Sequence, residues 1–404
     1  MKKGLKVWLL VSLVIILGIS MFGCSQPAET PAAEEPSSEP AAPAESSEPI
    51  RIGFFAPVTG AAASDGKSAT QSAELAVKLI NDGGGINGRP VELVKYDDGL
   101  DTKQAVNIAQ KLTTKDNVVA VVSGSYSGPT RVAAPIFQEA GMPMLSAYAI
   151  HPDVTGSGDF VFSQSFSGSV QGRAGGVVAV DMLGAKRISI LAVDIDFGKT
   201  LSEAFTAYAE ANGAEIVSMD TFGMPETEFS PVLTKIKETV KPDLLYIACY
   251  PSHGTEIARQ SKRLGLDVQI LGTEGIDSYQ FLEVAKEDAE GVIITTNMNR
   301  DSESDAVKNY IAGYKAAYNM QPDMVGASTY DAFETLFKVI AEVGTDPVAM
   351  RDAIKGLKDF ETVTGRLIEY APSRVAVKPV QIQIVKDGEF HYYNEITDDA
   401  IIRD

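Results

Sequence analysis

Apolar residues in this chain come in short unbroken runs, each followed by a small polar or glycine-rich loop and then by a helix-spaced pattern. The first run, Ile50-Arg-Ile-Gly-Phe-Phe-Ala, breaks at Pro57-Val-Thr-Gly. Gly66 to Ser72 then opens a helix whose Ala73, Ala76, Val77 and Ile80 fall at helical spacing. That helix stops in the glycine-rich stretch Asp82 to Pro90. A second strand runs from Val91 to Tyr96 into Asp97-Asp98, and the next helix carries Ala105, Ile108, Ala109 and Leu112 on one face. This order predicts a parallel sheet with crossover helices.

The same pattern continues through Val118–Ser123 and Pro143–Ser146, lapses around Phe166 to Gly168, and then starts afresh. Ile188–Val193 reads as a strand, Lys199–Asn212 as a helix, and Ala214–Met219, Leu244–Ala248 and Val268–Leu271 as further strands. Continuous apolar runs, rather than alternation, mean strands covered on both faces. Later the sequence predicts a helix around Tyr330-Asp331-Ala332 and a strand Val380–Val385 closed by an Asp387-Gly388 turn. The expected fold is α/β, two doubly wound parallel-sheet lobes of one design.

The ends change the picture. Residues 1–23 read as a secretory leader, with Lys2, Lys3 and Lys6 ahead of the uncharged run Val7–Ile19. That run is shorter than the roughly 20 residues a membrane span needs. Cys24 sits directly behind it, where a lipoprotein is cleaved and lipidated. Residues 24–49 are the lipidated Cys and a Ser, Pro, Ala and Glu tether with nothing to build a core. The remaining length, about 355 residues, suits two lobes. The formal net charge of −19 argues against nucleic acid and anionic lipid surfaces as partners. Cys249 is left without a partner, so no disulfide is expected.

Enzyme signatures fail on context. Gly83 to Gly88 matches GxGxxG, but it follows a helix and precedes a strand, so it cannot aim a helix N-terminus at a pyrophosphate. In Gly124-Ser-Tyr-Ser-Gly, Tyr126 occupies the nucleophile position. His151, His253 and His391 make no metal spacing, and His253 reads as a solvated loop residue. Asp97-Asp98 reads as a cap for the next helix. No catalytic group, cofactor or metal is expected.

The cassette from Ile50 to Asp101, in wording as well as order, resembles the start of the branched-chain amino-acid binding protein family. These type I periplasmic binding proteins are the capture subunits of ABC importers. The likeness runs to about Phe390. It implies three hinge crossings, near Gly168, Thr296-Asn297 and Val377, with lobe 1 formed by residues 50–167 plus 298–376 and lobe 2 by 168–297 plus 377–404. Leu100 and Tyr126 stand where relatives carry two disulfide-linked cysteines.

Ligands of open parallel sheets sit beyond the carboxyl ends of the strands. Ser127 lies there in a glycine-rich loop, as a carboxylate-binding hydroxyl or a helix N-cap. The resemblance implies that Ala149 and Ile150 give a carbonyl and an N–H to the ligand. On lobe 2 it brings in Phe197 of Asp196-Phe197-Gly198, Tyr250, and Glu274 of Gly272-Thr-Glu-Gly for the ligand's ammonium. Asp65 aligns near the cleft's aromatic wall, with an N-cap for the helix at Gly66 as the other reading. Ile150, Phe197 and the absence of an evident cleft arginine point to an apolar side-chain pocket. The expectation is therefore an exported, monomeric lipoprotein, held by Cys24 at the outer face of the cell membrane or in the periplasm. It would capture an amino acid, branched-chain or otherwise apolar, for ABC permease subunits. The alternatives are binding of an amide, urea or aromatic carboxylate, and a sensor that presents its ligand without transport.

Overall fold

The computed structural model describes residues 48–404. The leader, Cys24 and residues 24–47 of the tether lie outside the described residues. Lobe 1 is built on a five-stranded sheet of order β2-β1-β3-β4-β5. Its strands are β1 (Ile50–Ala56), β2 (Val91–Asp97), β3 (Ala120–Ser123), β4 (Met144–Ser146) and β5 (Val161–Ser163). All neighbours pair in parallel. Alternation along β1 explains why the run is apolar throughout. Ile52 and Phe54 join one core with Ala69, Ala73 and Phe333, while Phe55 enters the core on the opposite face with Ala105, Ile108 and Leu112.

Lobe 2 carries a seven-stranded sheet of order β15-β14-β10-β9-β8-β6-β7. Its strands are β6 (Arg187–Val193), β7 (Glu215–Phe222), β8 (Leu244–Ala248), β9 (Gln269–Gly272), β10 (Ile293–Thr296), β14 (Val380–Lys386) and β15 (Glu389–Ile396). The first five are parallel, and the β14–β15 hairpin joins antiparallel on β10.

Two features go beyond the sequence reading. β5 is only three residues long, too short to register as an apolar run. A three-stranded antiparallel sheet of β11 (Lys358–Thr362), β12 (Gly365–Tyr370) and β13 (Ala376–Val377) follows the lobe-1 helices. Its first strand is largely exposed and polar, so it lacks a period-two apolar signal. The helix expected around Tyr330 runs from Met324 to Val343. Its buried Asp331 accepts hydrogen bonds from the Val363 N–H (2.7 Å), the Thr364 N–H (2.9 Å) and the Thr364 hydroxyl (2.5 Å), which seats the β11–β12 turn on the lobe.

The glycine-rich stretch at residues 83–88 ends the helix Ala63–Asp82 and turns the chain into β2. Gly85 sits at φ 78°, and a Cβ there would press on the Arg89 carbonyl, so the stretch is a turn. Asp97 and Asp98 do not cap the next helix. Asp101 does, accepting the Gln104 N–H at 2.8 Å. Asp97 instead accepts the Val58 N–H (2.9 Å) and the Thr59 hydroxyl (2.6 Å), pinning the loop after β1.

The chain passes between the two lobes three times: between Ser163 and Gly168, after Thr296, and between Val377 and Val380. The Asn297 amide ties two of these passages together by donating to the Ser165 hydroxyl at 3.0 Å. Lys378, fully buried in the third, donates to the Thr364 hydroxyl at 2.6 Å.

Candidate functional site

The parallel strands of both lobes end at one cleft, and the loops after them supply its walls. After β1 comes Asp65, in the first turn of the helix Ala63–Asp82. After β3 come Tyr126 and Ser127, at the start of the helix Ser127–Glu139. Tyr148 follows β4. From lobe 2, Phe197 opens the helix Asp196–Ala211 after β6, and Tyr250 precedes the helix Pro251–Leu264 after β8. Glu274 begins a single helical turn after β9. These residues, with Asp277, Met324 and Val325, line a narrow cavity of about 30 Å³ between the facing walls.

Three aromatic rings stack through the middle of this cleft. Tyr126 and Tyr250 lie with centroids 4.6 Å apart and planes 5° from parallel, and Phe197 also stacks on Tyr250 at 5.0 Å. Tyr148 meets Tyr126 edge-on at 6.2 Å and anchors its hydroxyl on the Gly124 carbonyl at 2.6 Å. Gly275 makes the lobe-2 side of the stack possible. A Cβ there would collide with the Cys249 carbonyl and come within 2.9 Å of the Phe197 ring.

The polar groups divide into satisfied and waiting ones. Asp277 is paired with Arg300 through two hydrogen bonds and also accepts the Thr296 hydroxyl at 2.5 Å, while Arg300 donates further to Gln383 at 2.9 Å. Glu274 is different. It is 3% exposed, and its Oε2 has no hydrogen-bond partner. Burial raises its pKa to about 8; Gln171 and Lys378 pull the other way, and Asp277 adds to the rise. A buried carboxyl held this far from its ordinary range is one whose charged form lacks a partner. Asp65, on the facing lobe, is 4% exposed, and its Oδ2 accepts the Tyr126 hydroxyl at 2.6 Å. Burial raises its pKa too, against the Tyr126 and Ser64 hydrogen bonds. Among the described residues, no lysine, arginine or histidine lines the cavity.

Of the residues singled out in the sequence, the structure brings Asp65, Ser127, Phe197, Tyr250 and Glu274 to this cleft. It places Ala149 and Ile150 elsewhere. They line a second cavity with His151, Ser167 and Asp404, the Ala149 N–H is taken by the Ser146 hydroxyl at 3.1 Å, and the Ile150 side chain packs into the lobe-2 core. Tyr148, next to them in the chain, faces the cleft instead. Neither Asp65 nor Ser127 is an N-cap: Ala62 and Tyr126 hold those positions, with no side-chain cap bond at the helix Ala63–Asp82 or at Ser127–Glu139.

His253 is not a solvated loop residue. It is buried, its Nε2 lies 2.8 Å from the Met224 carbonyl, and burial lowers its pKa. Sequence reasoning also missed Arg300, which stands behind Asp277, and the wall formed by Met324 and Val325. Cys249 is buried and burial pushes its thiol pKa up, so it is no nucleophile at neutral pH. Among the described residues no group of three or more metal-ligating side chains comes together, and no helix is long and apolar enough to cross a membrane.

Comparison with known proteins meets this geometry from outside. A family model described as periplasmic binding protein matches residues 49–389. The chain is 28% identical over 321 residues to the leucine-, isoleucine-, valine-, threonine- and alanine-binding protein of Pseudomonas aeruginosa, covering 79% of this chain and 85% of that one. The branched-chain amino acid transporter substrate-binding protein of Streptococcus pneumoniae, solved in complex with isoleucine, matches with a TM-score of 0.80. It is 28% identical, over 86% of this chain and 99% of that one. A solute-binding protein of an ABC transporter from R. palustris, solved with benzoate, matches at a TM-score of 0.79 and 22% identity, over 87% of this chain and 98% of that one. That last likeness is one of fold alone.

Proposed function

This chain belongs to the periplasmic binding protein family, and from that premise we propose that it captures an α-amino acid in the inter-lobe cleft for an ABC importer. The family is one of binding proteins, not enzymes. The observation that carries the amino-acid reading is Glu274, a buried carboxylate with an unpartnered oxygen at the cavity wall. An ammonium is the group that would satisfy it. At the opposite wall the helix Ser127–Glu139 makes its first intrahelical bond from the Thr130 N–H to the Tyr126 carbonyl. The N–H groups of Ser127 and Gly128 therefore have no helical acceptor, and with the Ser127 hydroxyl they suit a carboxylate.

The walls between these poles are Tyr126, Tyr148, Phe197, Tyr250, Met324 and Val325. Apolar and aromatic surfaces of this kind suit a side chain of branched-chain size, the class named for the Pseudomonas relative, where threonine stands beside leucine, isoleucine and valine. An aromatic carboxylate would leave Glu274 unpaired, so it is the weaker reading. The position of Cys24 behind the leader supports a lipid anchor, which mass spectrometry of the mature N-terminus tests. A thermal-shift panel of amino acids, amides and aromatic acids on the purified protein tests the ligand. Stabilisation by amino acids, lost when the α-amine is acetylated, supports the reading; stabilisation only by aromatic acids or amides overturns it.

A further inference from the structure

The amino-acid reading gives Glu274 and Ser127 their tasks and leaves Asp65 without one. Asp65 stands on lobe 1, 96% buried by its 4% exposure, and lines the same cavity as Glu274 on lobe 2. It does not cap its own helix. Among the described residues it has no cationic partner, since Arg300 is committed to Asp277 and none of the cavity's lining residues is a lysine, arginine or histidine. Its bonds are the Tyr126 hydroxyl at 2.6 Å on Oδ2 and the Ser64 hydroxyl at 3.3 Å on Oδ1. A carboxylate offers about four acceptor sites, so acceptor capacity remains at the cavity wall. Burying an unpaired carboxylate is costly, and a plain aliphatic pocket has no use for one.

We propose that Asp65 receives a hydrogen-bond donor on the ligand's side chain, so that the cleft selects an amino acid carrying a side-chain hydroxyl or ammonium over its aliphatic isostere. The inference rests on the amino-acid reading and refines it. Tyr126 has a positioning role, because its hydroxyl fixes the carboxyl while its ring holds the stack with Tyr250. The second, independent pointer to a ligand is the unpartnered Glu274 oxygen in the same cavity. One donor of the ligand meets the remaining acceptor capacity of Asp65 on lobe 1 and another meets Glu274 on lobe 2, and closure brings the two carboxyls onto one molecule. An apolar side chain would instead bury Asp65 against hydrocarbon, a mismatch that sites built for hydrogen bonding reject strongly.

Matched pairs separate the side-chain donor from side-chain size. Calorimetry on the purified full chain should compare threonine with valine for the hydroxyl, and lysine with norleucine for the ammonium. In at least one pair the donor-bearing member should bind at least about tenfold tighter. In Asp65→Val and Asp65→Asn that ratio should fall below about threefold for the same pair, with melting curves showing that the variants are folded. If the aliphatic member binds as well or better in both pairs, the inference is overturned while the amino-acid reading stands. A ratio that survives both Asp65 variants overturns it as well. If no member of either pair binds while other amino acids do, the inference is overturned and the amino-acid reading stands; if no amino acid binds, both fall.

Discussion

Tyr126 of lobe 1 lies flat against Tyr250 of lobe 2, ring centroids 4.6 Å apart. Two lobes joined by three hinge passages thus meet through their own aromatic side chains at the middle of the cleft. Such pairs contribute about 0.5–1.5 kcal/mol beyond their buried area. In a double-mutant cycle of Tyr126→Ala and Tyr250→Ala, ligand affinity should show a coupling energy of that size. Additive losses would mean that the stack does not assist closure.

Glu274 gives the sharpest affinity prediction. Glu274→Ala should weaken amino-acid binding by roughly 2–5 kcal/mol, because it leaves the ligand's ammonium buried without its partner. The fold should hold, since the lost carboxylate oxygen bonds nothing in the empty protein. A calorimetric loss below about threefold would point to a ligand without an amine.

How much of this was legible in the sequence depends on the length of the signal. The apolar runs of β1, β6 and β8 are long and covered on both faces, so they announce parallel strands. Tyr250 stands directly beyond β8 and Glu274 beyond the shorter β9, and the family resemblance singled both out among the residues at strand ends. β5 and β11 are short or polar, and pairing that arises from tertiary context leaves no local period. The segment after β4 shows how fine the margin is. Tyr148, Ala149 and Ile150 are consecutive, yet Tyr148 turns to the cleft while the other two face a different cavity. Family likeness is accurate to a segment, and one residue of offset changes the wall. Arg300 escaped notice because its partner, Asp277, is distant in sequence and no spacing rule connects them.

The raised pKa of Glu274 makes stability fall with pH. Its carboxyl titrates from 4.5 in the unfolded chain to about 8 in the native one, so between those values the native state holds a proton that the unfolded state has released. Stability of the ligand-free protein should therefore decline as pH rises through that window and level off above it. Asp323 and Glu334, whose carboxyl pKa values burial also raises to about 7, add to the same decline, so Glu274→Gln should reduce the slope and gain on wild type as pH rises from 5 to 9. Thermal melts across that range decide the matter, and identical slopes for the two proteins would show that Glu274 is ionised in the empty cleft.

The same proton links binding to pH. An ammonium favours the ionised form of Glu274, so binding at pH 7 should expel a proton and apparent affinity should rise from pH 6 to pH 8. Calorimetry in buffers of different ionisation enthalpy reads the released proton directly. Gln171, Asp277 and Lys378 also act on Glu274, so the control is Glu274→Gln, in which proton release should vanish. Proton uptake in the wild type would contradict the assignment.

Closure itself is the last expectation. At the rim of the cleft Arg131, on the lobe-1 helix Ser127–Glu139, lies 3.3 Å from Asp196, at the start of the lobe-2 helix Asp196–Ala211. Both side chains are more than one-third exposed, so this ion pair contributes only about 0.2–1 kcal/mol and is screened by salt. It is a weak latch between the lobes beside the Tyr126–Tyr250 stack. Without ligand the lobes should hinge apart, and with it the closed population should dominate, as in periplasmic binding proteins generally. Asp196→Asn should weaken ligand binding by no more than the latch's small contribution and reduce its salt dependence. Small-angle scattering should show a smaller radius of gyration at saturation, and spin labels at the exposed Lys103 and Glu203 positions should report a changed inter-lobe distance. An unchanged radius together with an unchanged distance would leave a rigid binding module, and the shape change offered to a permease would have to be abandoned.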